Sequence, residues 1–310
     1  MRLTLSSFNT TNRFLVSKSV VLPEAEIICD QFFDKNGNYT EEEFFMYTEA
    51  AQFLIRETQK PRHMYNLAIV YEWRKSYDLA CKYFEMAAEN GYADAYIGLA
   101  YIWYYGRTGK TDYEKAFKYF SKCGNDLNAQ YKIADMYKNG YYVEKDEQKY
   151  REIIERLYKD FHHSTDNWND ASLGIRLAKI RANEGKTDEA IQLLLDAKES
   201  LTWCIRNNAF FGSYSLMQGL ISDLYILKPL DTDDMDFFDL YELLKKPVKL
   251  QFTYNGKTYN IESSEEEDGT IAVCFDGKWY HSVNDMMMNA KINGELISQD
   301  IWSVEDIEVI

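Results

Sequence analysis

Between residues 61 and 200, the order of hydrophobic and polar residues repeats roughly every 32–36 positions. In each copy a small residue is followed, 12 or 16 positions later, by a second position that corresponds between the copies, and large side chains stand at fixed places around the two. The hydrophobic residues within each half of a copy follow the helical period of about 3.6 residues. This pattern predicts stacked pairs of helices, an architecture that mostly binds other molecules.

Small residues mark the points at which neighbouring helices are expected to approach closely. The first positions in the four copies are Ala68, Ala100, Ala134 and Ala178, and the second positions are Ala80, Ala116, Tyr150 and Ala190. The second and third copies are longer by four residues and contain Gly106, Gly109 and Gly140. We expect these glycines at the turns between paired helices, where a left-handed backbone is required.

The second copy resembles the Sel1-like repeat. Residues 88–96 (Ala-Glu-Asn-Gly-Tyr-Ala-Asp-Ala-Tyr), with Leu99 and Ala100, are similar to the junction between its units, and residues 112–120 are similar to its second helix. The first and fourth copies look more like tetratricopeptide repeats. The resemblance covers residues 61–200 and is strongest over 67–142; it implies an adaptor or scaffold that binds proteins.

The third copy departs from that pattern, because Tyr150 and Arg156 stand where small residues are expected. It is interpreted either as a terminal copy of the array or as a point at which the stacking angle changes. Before the array, residues 22–58 predict two helices, with Thr40 and Glu43 forming a capping box. Residues 200–246 predict further helix, capped by Asp231 or Asp233 before Phe237.

After Pro247 the hydrophobic period changes from helical to alternating. Alternating runs flank Asn255–Gly256 and Asp276–Gly277, which predicts two β-hairpins. Ser282 is expected to cap a methionine-rich helix that ends near Asn293–Gly294, and residues 301–310 predict a last strand. We therefore predict a mainly α protein, an α-solenoid of Sel1/TPR-like helix pairs followed by a small C-terminal α+β domain. The predicted regions are an N-terminal helical cap (1–60), the array with its following helices (61–246) and the α+β domain (247–310).

Charge changes the set of expected partners. The chain carries −15, and residues 231–310 contain 6 basic and 18 acidic residues. Such acidity repels nucleic acid and anionic membranes, although it serves solubility equally well. Residues 1–16 do not read as a signal peptide, and the chain has no long apolar run. Because the five cysteines are scattered and odd in number, a cytoplasmic protein with reduced thiols is expected.

Three polar segments invite a metal-site hypothesis, and each has a simpler explanation. Residues 34–45 begin like a calcium loop, but Tyr39 and Phe45 occupy places that require Gly and Glu. Residues 231–236 lack the central glycine, and acidic residues before a helix are favoured by its dipole. His162 and His163 lie in a polar linker without a third ligand nearby. No catalytic motif was found, so we predict no metal, no cofactor and no enzyme activity.

The first helix of each pair is expected to line the concave face of the array. The candidate groove residues are Tyr65, Ile69, Glu72, Trp73, Ile97, Tyr101, Tyr104, Tyr105, Tyr131, Asp135, Lys138 and Asn139. Tyr and Trp supply large contact area at low entropic cost, which favours binding of a protein or peptide partner, including a second copy of the chain. Two alternatives stay open: the aromatic side chains fill the groove from within, or a ligand-sensing or enzymatic site lies in the α+β domain.

Overall fold

The protein is mainly helical and ends in a small antiparallel sheet. The computed structural model describes residues 18–35, 37–161, 168–207, 212–229, 235–300 and 305–309. The first eight helices are α1 (Lys18–Phe33), α2 (Glu41–Thr58), α3 (Pro61–Trp73), α4 (Tyr77–Glu89), α5 (Ala95–Tyr104), α6 (Tyr113–Lys122), α7 (Leu127–Asn139) and α8 (Glu147–Phe161). The later helices are α9 (Trp168–Asn183), α10 (Thr187–Arg206), α11 (Ser213–Leu227), α12 (Leu240–Leu243), α13 (Val283–Asn289) and α14 (Ile297–Asp300).

Residues 1–150 and 151–310 form two compact units. The predicted fold class is confirmed, since consecutive helices pair as in a solenoid and strands follow them. The three-region division at positions 60 and 246 stays a prediction. In the described ranges, no helix combines the length and the apolar character needed to cross a bilayer.

The first unit packs each helix against its neighbours in sequence, from α1 to α7. Its small residues Ala68, Ala100 and Ala134 are fully buried, as the repeat pattern predicts. The predicted capping box before α2 is present, because Thr40 N–H donates to Glu43 Oε2 at 2.8 Å and Glu43 N–H donates to Thr40 Oγ1 at 3.2 Å. These contacts satisfy backbone groups that the first helical turn leaves open.

In the longer repeats, glycines lie at the predicted turns between paired helices. Gly106, Gly109 and Gly140 have φ values of 63°, 104° and 70°. At Gly106 an added Cβ would also lie 2.8 Å from the backbone nitrogen of Thr111. Both the backbone conformation and the lack of space therefore require glycine at position 106.

The contact between α4 and α5 depends on another glycine, Gly98. The ring of Phe84 is fully buried, and a Cβ at Gly98 would lie 2.6–2.9 Å from three of its carbon atoms. Gly98 thus lets the two helices approach with the aromatic ring between them.

The second unit contains most of α8 and a further helix pair, α9 and α10, on which α11 packs. This pair corresponds to the predicted fourth copy, and Ala178, Ala190 and Ala197 are buried in it. The turn before α12 (a 3₁₀ turn at Phe237–Asp239) is capped by Asp236, whose side chain accepts from the N–H groups of Phe238 and Asp239. The predicted caps Asp231 and Asp233 lie outside the described residues.

The C-terminal sheet has five antiparallel strands in the order β4-β3-β2-β1-β7. They are β1 (Val248–Tyr254), β2 (Lys257–Glu265), β3 (Ile271–Phe275), β4 (Lys278–Tyr280) and β7 (Glu305–Val309). Both predicted hairpins and the last strand are confirmed. One face of the sheet is buried and carries stacked aromatic rings. The ring centroid of Phe252 lies 5.7 Å from that of Tyr259 and 6.3 Å from that of Phe275.

The chain after Ser282 differs from the prediction in one respect. Ser282 caps α13 as expected, accepting from the N–H of Asp285, but the helix ends at Asn289. Asn293 and Gly294, with φ values of 54° and 95°, form the turn of a separate hairpin, β5 (Lys291–Ile292) and β6 (Glu295–Leu296). Asn-Gly favours a hairpin turn over a helix end because both residues adopt positive φ there.

All five cysteines are free, and Cys29, Cys81 and Cys204 are buried. Cys123 is half-buried, and its thiol donates to the carbonyl of Tyr119 at 3.3 Å. Burial, together with Asp126 and Asp94, raises the pKa of Cys123 to about 11. The neutral thiol is therefore its stable form well above neutral pH.

Replacing Gly98 with alanine is expected to destabilise the protein, although alanine favours a helix. Helix propensity would gain about 1 kcal/mol, whereas overpacking against Phe84 costs about 1–3 kcal/mol. Gly219→Ala in α11 is the matched control, because nothing lies within 4 Å of the added methyl group. Urea unfolding should show a lower midpoint for Gly98→Ala and a higher one for Gly219→Ala. A raised midpoint for both variants would contradict the close contact.

The raised pKa predicts an unusual pH dependence for alkylation of Cys123. At pH 8 about a thousandth of a thiol with pKa 11 is thiolate, against roughly a quarter for an ordinary thiol with pKa near 8.5. Iodoacetamide labelling, followed by mass spectrometry of the Cys123 peptide, should accelerate about tenfold per pH unit up to about pH 10. A rate that levels off near pH 9, as for glutathione in the same solution, would contradict the prediction.

Candidate functional site

The predicted groove residues come from the first helix of each pair in the array. Tyr65 and Trp73 lie on α3, Tyr101 and Tyr104 lie on α5, and Tyr105 is the residue that ends α5. Tyr131, Lys138 and Asn139 lie on α7. Their assignment to one groove is not tested by these positions alone, and it stays a prediction.

Tyr101, Tyr104 and Tyr105 form one aromatic cluster, which we call the tyrosine cluster. The rings of Tyr101 and Tyr105 are nearly parallel, with 5.9 Å between centroids and 6° between planes. Tyr104 meets Tyr105 edge to face at 5.1 Å. Tyr101 and Tyr104 are half-buried, while Tyr105 keeps 51% of its surface exposed. The cluster therefore has a packed base and an open aromatic surface.

The base of the tyrosine cluster is supported by the next helices. Phe120 of α6, fully buried, lies 5.4 Å from Tyr101 and 6.0 Å from Tyr104 between ring centroids. Tyr104 also contacts Tyr113 at 5.6 Å and Tyr141 at 6.3 Å. Edge-to-face contacts of this kind orient rings in addition to burying them. Tyr104 is thus positioned by packing, whereas Tyr105 is available for contact.

Two cations flank the open ring. Lys132 of α7 places its Nζ 5.2 Å from the centroid of Tyr104 and 5.3 Å from that of Tyr105. The guanidinium of Arg107 lies 5.6 Å from the Tyr105 ring and forms an ion pair with Glu72. In the part of the chain that the structure describes, Lys132 has no carboxylate within 4 Å. The surface around Tyr105 is therefore aromatic, with Lys132 and the Arg107–Glu72 ion pair beside it.

The phenols of the cluster stay protonated over a wide pH range. Burial, with contributions from Tyr105 and Asp126, raises the pKa of Tyr101 to about 12. Burial and the nearby carboxylate of Asp135 also raise the pKa of Tyr104 above its ordinary value. Neutral phenols can donate as well as accept hydrogen bonds, so the cluster offers a partner both functions.

The other predicted residues pack elsewhere. Tyr65 lies 4.7 Å from Tyr92, and Trp73 meets Phe33 at 5.6 Å while keeping 50% of its surface exposed. Lys138 lies over Tyr150, and Asn139 donates to the carbonyl of Asp135. No ring contact among the described residues joins Tyr65 or Trp73 to the tyrosine cluster. The predicted aromatic side chains thus make contacts within the fold, and some of them also keep a large exposed surface.

Sequence reasoning did not find Lys132, Arg107, Tyr113 or Tyr141 as parts of this surface. The repeat register places Lys132 next to Tyr131, but only the packing of α5 against the following helices brings its ammonium group over two rings. A distance between residues on different helices is not encoded in their spacing along the chain.

The segments weighed as metal sites give no site in the described ranges, where no group of three His, Cys, Asp or Glu side chains is arranged to hold a metal. In the 34–45 segment, Glu43 is used by the helix cap and by Lys35, whose Nζ lies 2.6 Å from it. The other two segments, His162–His163 and residues 231–234, lie outside the described residues.

A cavity of about 750 Å³ lies in the second unit, between α10, the end of α11 and the turn at Asp236. In its wall, the half-buried Lys198 contacts Asp239 at 2.7 Å and Asp236 at 3.1 Å. Asp239 is fully buried and also accepts from the N–H of Asp236 at 2.8 Å.

Comparison with known proteins identifies the class of the array. Residues 64–92, 93–122 and 127–149 match the family model described as Sel1 repeat. The predicted resemblance is thereby confirmed: the chain contains three Sel1 repeats, spanning α3 to the start of α8. Repeats of this class generally act as protein-interaction scaffolds. No curated protein matches the chain significantly in sequence.

One solved structure shares the fold, and two others are less similar. A Sel1 repeat protein from Oxalobacter formigenes is 19% identical, with a TM-score of 0.50 over 76% of this chain and 94% of its own. PilF of Pseudomonas aeruginosa is 14% identical, with a TM-score of 0.44 over 72% of this chain and 98% of its own. A protective antigen of uropathogenic Escherichia coli, described as having an SLR fold, is 16% identical, with a TM-score of 0.41 over 57% of this chain and 44% of its own. At these identities the likeness concerns the fold alone.

The buried ion pair in the second unit allows a stability prediction. Lys198→Met should destabilise the protein by about 3 kcal/mol, because it leaves the carboxylate of Asp239 buried without a counter-charge. The double variant Lys198→Met/Asp239→Asn should recover part of that loss, since no unpaired charge remains at position 239. Chemical unfolding of the two variants measures the difference. Equal destabilisation of both would show that the pair is not held together by charge.

Proposed function

We propose that the protein is a scaffold whose Sel1-repeat array binds a protein or peptide through the tyrosine cluster on its concave face. The observation that carries the proposal is Tyr105, half-exposed on a base of packed aromatic rings and flanked by Lys132 and Arg107. Preorganised aromatic side chains with an adjacent cation are typical of the residues that dominate binding energy at interfaces. They lose little conformational entropy when a partner binds.

The proposed partner is a protein or peptide, and nucleic acid and membrane surfaces are disfavoured by the net charge of −15. Self-association through the same surface is a second form of this proposal. The five free thiols support a cytoplasmic location, because reducing compartments keep cysteines in that state. No cofactor and no catalytic residue form part of the proposal.

The proposal is tested with peptides selected from a random library against the full-length protein. Tyr105→Ala should raise the dissociation constants of the selected peptides about tenfold or more, since truncating an interface anchor removes on the order of 1–2 kcal/mol of binding free energy. Tyr105→Phe should bind nearly as well as the wild type if the ring supplies most of the contact. Fluorescence anisotropy gives the dissociation constants, and circular dichroism checks that each variant is folded.

Tyr142→Ala is the matched control, because Tyr142 is 52% exposed and lies outside the tyrosine cluster. We expect less than a twofold change for it. Peptides that bind Tyr105→Ala as tightly as the wild type, but lose affinity for Tyr142→Ala, would place binding on another surface and overturn the proposal.

A further inference from the structure

A second surface with different chemistry lies at the edge of the C-terminal sheet. A groove of about 800 Å³ runs between the tip of the β2–β3 hairpin and the end of β4. Its walls include Glu266, Glu267 and Asp268 on one side and Trp279, Tyr280 and His281 on the other. We call it the edge groove. It is independent of the tyrosine cluster and uses no residue of the array.

The backbone beside the edge groove has open hydrogen-bonding groups. β4 pairs with β3 only from Val273 to Phe275, so the first two residues of β3 extend beyond it. The two-residue turn makes Phe275 and Lys278 a hydrogen-bonded pair, and successive residues of a strand point their backbone groups in opposite directions. By this alternation the N–H and C=O of Ile271 point towards the edge that β4 leaves uncovered.

Two observed hydrogen bonds support this register. Asp276 N–H donates to the carbonyl of Asn260 in β2 at 3.0 Å, so even-numbered residues on this side of the hairpin face β2. His281 N–H donates to the carboxylate of Asp285 at 2.9 Å and is turned away from the β3 ladder. The chain therefore leaves the sheet at His281, and the edge beside Ile271 stays open.

Trp279 provides an apolar wall. It lies opposite Cys274 in the β3–β4 ladder, on the solvent-facing side of the sheet, and 53% of its surface is exposed. Because Lys278 and Tyr280 direct their backbone groups towards β3, those of Trp279 point outward from the sheet. An exposed tryptophan next to open backbone groups is a surface on which an extended chain can pack.

The opposite wall is anionic. Within the described part of the chain, no Lys or Arg lies within 4 Å of Glu266 or Glu267. Asp268 accepts from the hydroxyl and the N–H of Thr270 at 2.6 and 2.9 Å, which holds its carboxylate in place. Lys278, the cation on β4, lies over the ring of Tyr280 at 4.9 Å. The edge groove therefore favours a cationic occupant.

We propose that the edge groove binds an extended, Lys- or Arg-rich segment of a partner protein, which adds to the open strand edge. Its backbone would pair with the exposed groups beside β3 and β4, and its cations would face Glu266 and Glu267. Trp279 would cover the apolar part of the segment. A second copy of this chain is a poor occupant, because two such edges would bring like-charged carboxylates together.

The test uses the full-length protein and a fluorescent peptide in which Lys and Val alternate, at physiological ionic strength. Glu266→Gln/Glu267→Gln should raise the dissociation constant about three- to tenfold, as expected for two partly screened ion pairs. Glu89→Gln/Glu144→Gln is the matched control, since it removes the same charge at two exposed positions elsewhere in the chain. It should change binding less than twofold. Trp279→Ala should also raise the dissociation constant of the peptide.

Three further measurements distinguish the mode of binding. A peptide with Gln in place of Lys should bind more weakly, and N-methylation at alternate residues, which blocks strand pairing, should weaken the Lys peptide. The proposal is overturned if the wild type does not bind the Lys peptide, if both double variants lose affinity equally, or if the Gln or methylated peptide binds as well. Sedimentation that shows a dimer lost in Trp279→Ala would assign the edge to a second copy instead.

Discussion

The arrangement of the array depends on the way α5 is held between two buried aromatic rings. Phe84 of α4 occupies the space that the missing side chain of Gly98 leaves, and Phe120 of α6 packs against Tyr101 and Tyr104. Because both rings are fully buried, α5 has little freedom to rotate or shift. The position of Tyr105 at the end of this helix follows from that constraint, and so does the geometry of the tyrosine cluster.

The tyrosine cluster and the edge groove differ in the charged side chains that surround them. The tyrosine cluster is flanked by Lys132 and Arg107, whereas the edge groove is lined by three carboxylates. Electrostatic complementarity selects partners and raises association rates more than it adds affinity. The proposed partner of the edge groove is therefore cationic, whereas the proposal for the tyrosine cluster does not depend on the charge of its partner.

The tyrosine cluster combines packed and exposed aromatic rings in one stripe of residues. Tyr104 is satisfied by its contacts with Phe120, Tyr113 and Tyr141, so it contributes mainly to order. Tyr105, one residue later, lies past the end of α5 and is half-exposed. The open groove and the self-filled groove both stay predictions.

Local spacing and turn chemistry were enough to predict the repeat, the helix pairs, the Thr40 cap and the two long hairpins from the sequence. The predicted end of the methionine-rich helix near Asn293–Gly294 was wrong, because Asn-Gly favours a hairpin turn and the helix ends earlier, at Asn289. The folded structure was needed to show that Lys132 reaches Tyr104 and Tyr105 and that the edge beside Ile271 is left open. Those features depend on distances between separate elements, which are set by the packing of whole helices and strands.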